Sequence, residues 1–230
     1  MNVPPPFEET MSEEPSTNHA PANQSEPADL FRPGLLVELA LALAAAVIGW
    51  AIGFNPTASI QLSSQGWPDL WRAAGWGVLA TIPMAATVWL MDRYPLGPLR
   101  EFSRVIEKRV MPLFRSLTIE QMAMLSFAAG VGEEMFFRGL LQAGLEHWIG
   151  LPHGRWIALA AASLVFGFCH YVTTTYFVLA TLIGVYLGAL MLWTDHLLAP
   201  MVAHALYDFL AMLYLLRWKK WPPAQQPLGA

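Results

Sequence analysis

The chain has 230 residues, 55% of them apolar and only 13% charged, about half the charged share of ordinary soluble domains. That deficit excludes a soluble globular body, and the single cysteine, Cys169, excludes an internal disulfide. The formal charge of −4 comes from residues 1–30, where Glu8, Glu9, Glu13, Glu14, Glu26 and Asp29 stand without a Lys or Arg; the rest is mildly basic, and nothing in it suggests nucleic-acid binding.

Residues 1–30 are rich in Pro, Glu, Ser and Asn, and such composition cannot bury enough surface to offset its ordering entropy. A disordered acidic tail is expected there, and not a signal peptide, because no basic segment precedes the late apolar run. From residue 31 the pattern is that of a polytopic membrane protein, an all-α bundle of about six spans, continuing to residue 220 before a short C-terminal tail at 221–230. A helix needs about 20 apolar residues to cross a bilayer core. Residues 35–54 supply the first, broken only by Glu38 and ended by Asn55-Pro56. Residues 70–91 supply the second, with Pro83 inside. Residues 93–115 then carry six basic side chains among apolar ones at helical spacing, which predicts an amphipathic helix on the membrane surface. Residues 121–145 form the third span. The block 156–193 is too long for one crossing and divides near Thr173–Thr175 into a fourth and a fifth; residues 197–216 are the sixth.

Six crossings place both termini on one side, and the positive-inside rule makes that side cytoplasmic. Arg32, the six basic residues of 93–115 and the three after 216 lie there, ten in all, against Arg72 and Arg155 on the other face. The ten Trp residues gather near the ends of the apolar stretches, as interfacial anchors do. Gly49/Gly53 and Gly184/Gly188 are spaced for close helix contact.

Ionisable groups within membrane spans are costly and usually functional. The third span contains Glu133, Glu134 and Arg138. Glu134 and Arg138 are four apart and stack as an ion pair, whereas Glu133, about 100° round the helix, has no partner in its own segment and suits a general base. The fourth span contributes Phe166 and His170, and the sixth His204 and Asp208, four apart. Each feature has a bland structural alternative: an ion-pair lock, a packed His, a capping pair. Together they predict convergence in one cavity where a water is activated and an oxyanion stabilised. His147 and His153 are expected to be solvated, His196 interfacial, and Cys169 a small packing residue.

The set Glu133-Glu134-x-x-x-Arg138, Phe166-x-x-x-His170, His204-x-x-x-Asp208 resembles the three motifs of the CPBP family, which includes the CaaX prenyl endopeptidases of the Ras-converting type and bacterial homologues. The resemblance covers about residues 118–216. It implies an intramembrane endopeptidase, in which Glu133 and His170 activate the water, Glu134 with Arg138 holds the first Glu in place, Phe166 packs the site, and His204 and Asp208 stabilise the oxyanion. The implied substrate is a membrane-anchored or lipidated peptide or protein, and the implied location is a membrane, the bacterial inner membrane for a chain this short. Many members carry Asn where this chain has Asp208; an ionised Asp cannot donate to an oxyanion, so Asp208 is expected to be protonated, to orient His204 or to bind a cation, the first two before the third. The implied cofactor is none, or a divalent metal such as zinc held by Glu133, His170 and His204. Two other classes remain open: a non-catalytic immunity or scaffold protein, and a cation- or proton-coupled transporter.

Overall fold

A computed structural model describes residues 30–60, 66–95, 97–150 and 152–219 of the chain. The expectations for the acidic tail and the C-terminal tail fall outside those residues. Among the described residues every regular element is helical. Four helices are long and apolar enough to cross a membrane: α1 (Phe31–Ala51), α2 (Trp67–Arg93), α8 (Thr174–Thr194), and α9 (Leu198–Leu213) with its π-helical continuation Tyr214–Trp218. A shorter apolar helix, α7, spans His153–Cys169. The motif-bearing run is α5 (Ile119–Glu134), a π-helical stretch Met135–Gln142, and α6 (Ala143–Ile149).

The predicted boundaries hold to within a few residues, and local chemistry explains where they move. The run begins at Ile119 because Thr118 and Gln121 form a reciprocal capping box, Gln121 N–H donating to Thr118 Oγ1 at 3.2 Å and Thr118 N–H to Gln121 Oε1 at 2.9 Å. The expected division between the fourth and fifth spans falls after Cys169, and Thr173 starts α8 by accepting from Tyr176 N–H at 3.1 Å. The basic segment is helical too, as α3 (Pro98–Val105), a π-helical stretch Ile106–Val110 and α4 (Met111–Phe114).

Burial is reversed relative to a soluble bundle. Leu36, Leu39, Leu43 and Val47 form an exposed apolar line along α1, and Val78, Leu79 and Ile82 another on α2, while the buried set includes Glu134, Arg138, Gln142 and His204. Exposed apolar surface of this extent suits lipid and not water. The interior is built from small residues. Ala73, Ala80, Ala199 and Ala203 let α2, α8 and α9 approach around Met84, Leu187 and Leu190.

Glycines set two of these approaches. A Cβ on Gly132 would strike the backbone carbonyl of Glu38, so α1 lies directly on α5 one residue before Glu133. On α8, Gly184 rests against Ser163 of α7, and the bare backbone at Gly184 and Gly188 accepts hydrogen bonds from Arg138 Nη2 and Gln142 Nε2, both at 3.1 Å. The expected Gly49/Gly53 pair is different. Gly49 packs against Phe54 and Pro56, but Gly53 stands in a turn at φ 69° with nothing against it. We expect Gly132→Ala to destabilise the chain by about 1–3 kcal/mol, the ordinary cost of overpacking a tight contact. An unchanged melting temperature in detergent would show that α1 can be pushed off α5 without cost.

Candidate active site

The site forms where α5, α7 and α9 meet. Glu133 and Glu134 end α5, Arg138 lies one turn on in the π-helical stretch, His170 is the residue that closes α7, and His204 and Asp208 share one face of α9. All six predicted residues, with Phe166, come together. Simple straight crossings would hold them at different depths; the short α7, only 17 residues, ends beside Glu133 and removes that difficulty.

Glu134 is the hub. It is wholly buried, and its Oε1 accepts from Arg138 Nη1 at 2.6 Å and meets His204 Nδ1 at 2.7 Å. It therefore does more than pair with Arg138, because it also ties α5 to α9. The far side of His204 faces Asp208, Nε2 to Oδ2 at 3.5 Å. An ionised carboxylate only accepts hydrogen bonds, so the ring is held as a donor at both ends. The Asp208 contact is longer than a good hydrogen bond, which leaves the Nε2–H available to a second acceptor.

Glu133 faces His170, with Oε2 3.6 Å from Nε2. His170 Nδ1 lies 2.8 Å from the Phe166 carbonyl and donates to it, which leaves Nε2 with a lone pair. Two acceptors cannot hydrogen-bond each other, but a water can bridge them by donating to both. The Phe166 ring is the common floor. It stacks on His170 with centroids 4.3 Å apart, meets His204 edge-on at 6.0 Å, and carries the Arg138 guanidinium 4.5 Å above its centroid. Phe137 supports it from below at 5.1 Å.

The site opens into a cavity of about 690 Å³ that reaches from Glu133 and Asp208 past the end of α2 to the inner face of the basic run at Phe102, Ile106 and Phe114. Three lining residues escaped the sequence reading. Glu38 appeared only as a flaw in the first span, yet the α1–α5 contact brings it to the cavity wall within electrostatic reach of His204 and Asp208. The rule that singled out Glu133 applies to it equally. Tyr176 and Tyr207 line the same wall; Tyr207 is one of the unspecified positions inside the His204–Asp208 motif, and no spacing connects Tyr176 to the motifs.

Other expectations change. His196 lies in the connection between α8 and α9 and is covered by protein: its Nδ1 accepts from Leu198 N–H at 3.1 Å at the start of α9, and burial lowers its pKa. Cys169 is exposed and so is no packing residue. His147 and His153 are exposed as expected. The residues considered as metal ligands do not fit a metal ion: both His204 nitrogens already face Glu134 and Asp208, and among the described residues no three His, Cys, Asp or Glu side chains converge on one point.

Comparison with known proteins agrees with the motif reading. Residues 115–210 match the family described as type II CAAX prenyl endopeptidase Rce1-like. Over 144 residues, 60% of this chain, the sequence is 30% identical to the uncharacterized protein YpbD of Bacillus subtilis (strain 168), a match spanning 65% of that protein's length. No solved structure matches the chain. The resemblance read from the three motifs therefore stands, and the apolar helices together with this similarity to a membrane protease family mark an integral membrane protein.

Proposed function

We propose that this chain, with its Rce1-like segment at 115–210, is an intramembrane endopeptidase that cleaves a peptide bond in a membrane-anchored peptide or protein with a water activated by Glu133 and His170. The observation that carries this reading is the facing pair Glu133 Oε2 and His170 Nε2, 3.6 Å apart, with Glu133 at the cavity wall. A water donating to both is polarised for attack on a carbonyl carbon. Glu133 takes its proton as the carbon–oxygen bond forms, and the carbonyl oxygen becomes an oxyanion. His204 Nε2–H, backed by the Glu134–Arg138 pair behind the ring, is the donor for that oxyanion. Collapse of the tetrahedral intermediate breaks the C–N bond, and the proton held by Glu133 passes to the departing amine. Asp208 positions His204 in this scheme.

The test is cleavage of a farnesylated peptide ending in Cys-aliphatic-aliphatic-X by the chain in proteoliposomes. Turnover by the wild type and its loss in Glu133→Ala would support the reading. Full turnover by Glu133→Ala would overturn the role of Glu133. Turnover by neither, across prenylated and acylated substrates, would favour a scaffold or a transporter.

We further propose six crossings in a bacterial inner membrane, both termini cytoplasmic, supported by the basic asymmetry of ten residues to two. In a Cys169→Ser background, Thr10→Cys and Leu62→Cys are expected to label with a membrane-impermeant maleimide from opposite sides. Labelling of both from one side would remove the first crossing as drawn.

A further inference from the structure

The cavity wall holds a polar group that the proposed chemistry leaves unused. Ser126 is 1% exposed, lines the cavity, and its Oγ is buried without a hydrogen-bond partner. A Ser hydroxyl within a helix commonly bonds back to the carbonyl four residues earlier, as Ser163 does to Leu159 at 2.7 Å. Ser126 does not, and an unsatisfied hydroxyl in a dry interior is costly. Ser126 sits seven residues before Glu133 in regular helix, so the two lie on nearly the same face, about 10.5 Å apart along the axis. Between them, one turn from each, the α5 residue that lines the cavity is Ala129, whose side chain is only a methyl group. An extended peptide advances about 3.3 Å per residue, so this rise equals about three residues.

We propose that Ser126 is a substrate-binding residue, its hydroxyl pairing with the backbone of the bound peptide about three residues from the cleaved bond. This rests on the endopeptidase reading for the position of the cleaved bond. A peptide lying along α5 with its scissile carbonyl at Glu133 carries its own unpaired amide groups into a cavity whose wall is mostly apolar there. Ser126 offers both a donor and an acceptor at the correct rise, and Ala129 leaves the peptide backbone room to approach.

The test uses the full chain in detergent and the same farnesylated peptide ending in Cys-aliphatic-aliphatic-X. Ser126→Ala is expected to leave the melting temperature without peptide unchanged or slightly higher, because no native partner is lost. It is expected to raise KM by about five- to tenfold with kcat within about twofold. Ser126→Thr, which keeps the hydroxyl, is expected to restore KM. Binding is read separately in the Glu133→Gln chain as the peptide-induced rise in melting temperature, which Ser126→Ala should reduce. An unchanged KM, an undiminished peptide-induced rise, or a lower melting temperature in Ser126→Ala without peptide would overturn the proposal. A wild type that never cleaves, paired with Ser126-dependent binding, would sink the endopeptidase reading and leave Ser126 standing. No peptide-induced rise at all would end the assignment of Ser126.

Discussion

Glu133→Gln is expected to cut turnover of a membrane-anchored peptide by about 100-fold or more while the melting temperature in detergent stays close to wild type. Gln keeps the size of the side chain and fills the same space. It cannot take the proton of a water, and its amide nitrogen would present a donor where Glu133 presents only acceptors. The stability half of the expectation follows from the surroundings. Glu133 Oε2 has no hydrogen bond in the folded chain, and its neighbour His170 stands 3.6 Å away. Removing the charge therefore breaks no close contact. Turnover and melting temperature measured on one preparation decide the matter: near-normal turnover would remove Glu133 as the base.

Glu134→Gln should fail in the opposite way, through the fold first. Its carboxylate faces Arg138 and His204 at once, and Arg138 is 1% exposed. Neutralising it leaves a guanidinium buried without a counter-charge, a loss on the order of 3–5 kcal/mol. The remaining support for Arg138 is one carbonyl, that of Gly184, and the face of Phe166. Activity should fall as well, because His204 loses the oxygen that fixes its ring. Arg138→Met should resemble Glu134→Gln. The double variant should be milder than the sum of the two, because it removes both halves of a buried pair. The measurement is melting temperature for the four chains. A Glu134→Gln variant as stable as wild type would mean that Glu134 is not the electrostatic anchor of the site.

These contrasting expectations separate two neighbours in sequence. Glu133 and Glu134 differ by one position and so by about 100° of helix. One is turned toward the cavity and the end of α7, the other toward α9 and the interior. Their different chemistry is a matter of direction, imposed by which helix packs on which side of α5.

Periodicity and composition alone determined the helical architecture, the four strongest spans, the existence of a break between the fourth and fifth spans and the identity of the six polar residues. Those features depend on local rules. A bilayer core demands runs of apolar residues whatever their partners, the i,i+4 pairs Glu134–Arg138 and His204–Asp208 lie within single helices, and Thr118 and Thr173 cap the residues that follow them. Tertiary structure alone decided the rest. Glu134 to His204 spans 70 positions and Arg138 to the Gly184 carbonyl spans 46, and no periodic pattern encodes pairings across such separations. Glu38 belongs with them: within α1 it is an isolated charge, and only the bare backbone of Gly132, which lets α1 lie against α5, turns it toward the cavity that Glu133 shares. Spacing along a helix fixes which residues share a face, but which face meets which neighbour depends on where two helices can approach, and that is set by the small residues of both helices together.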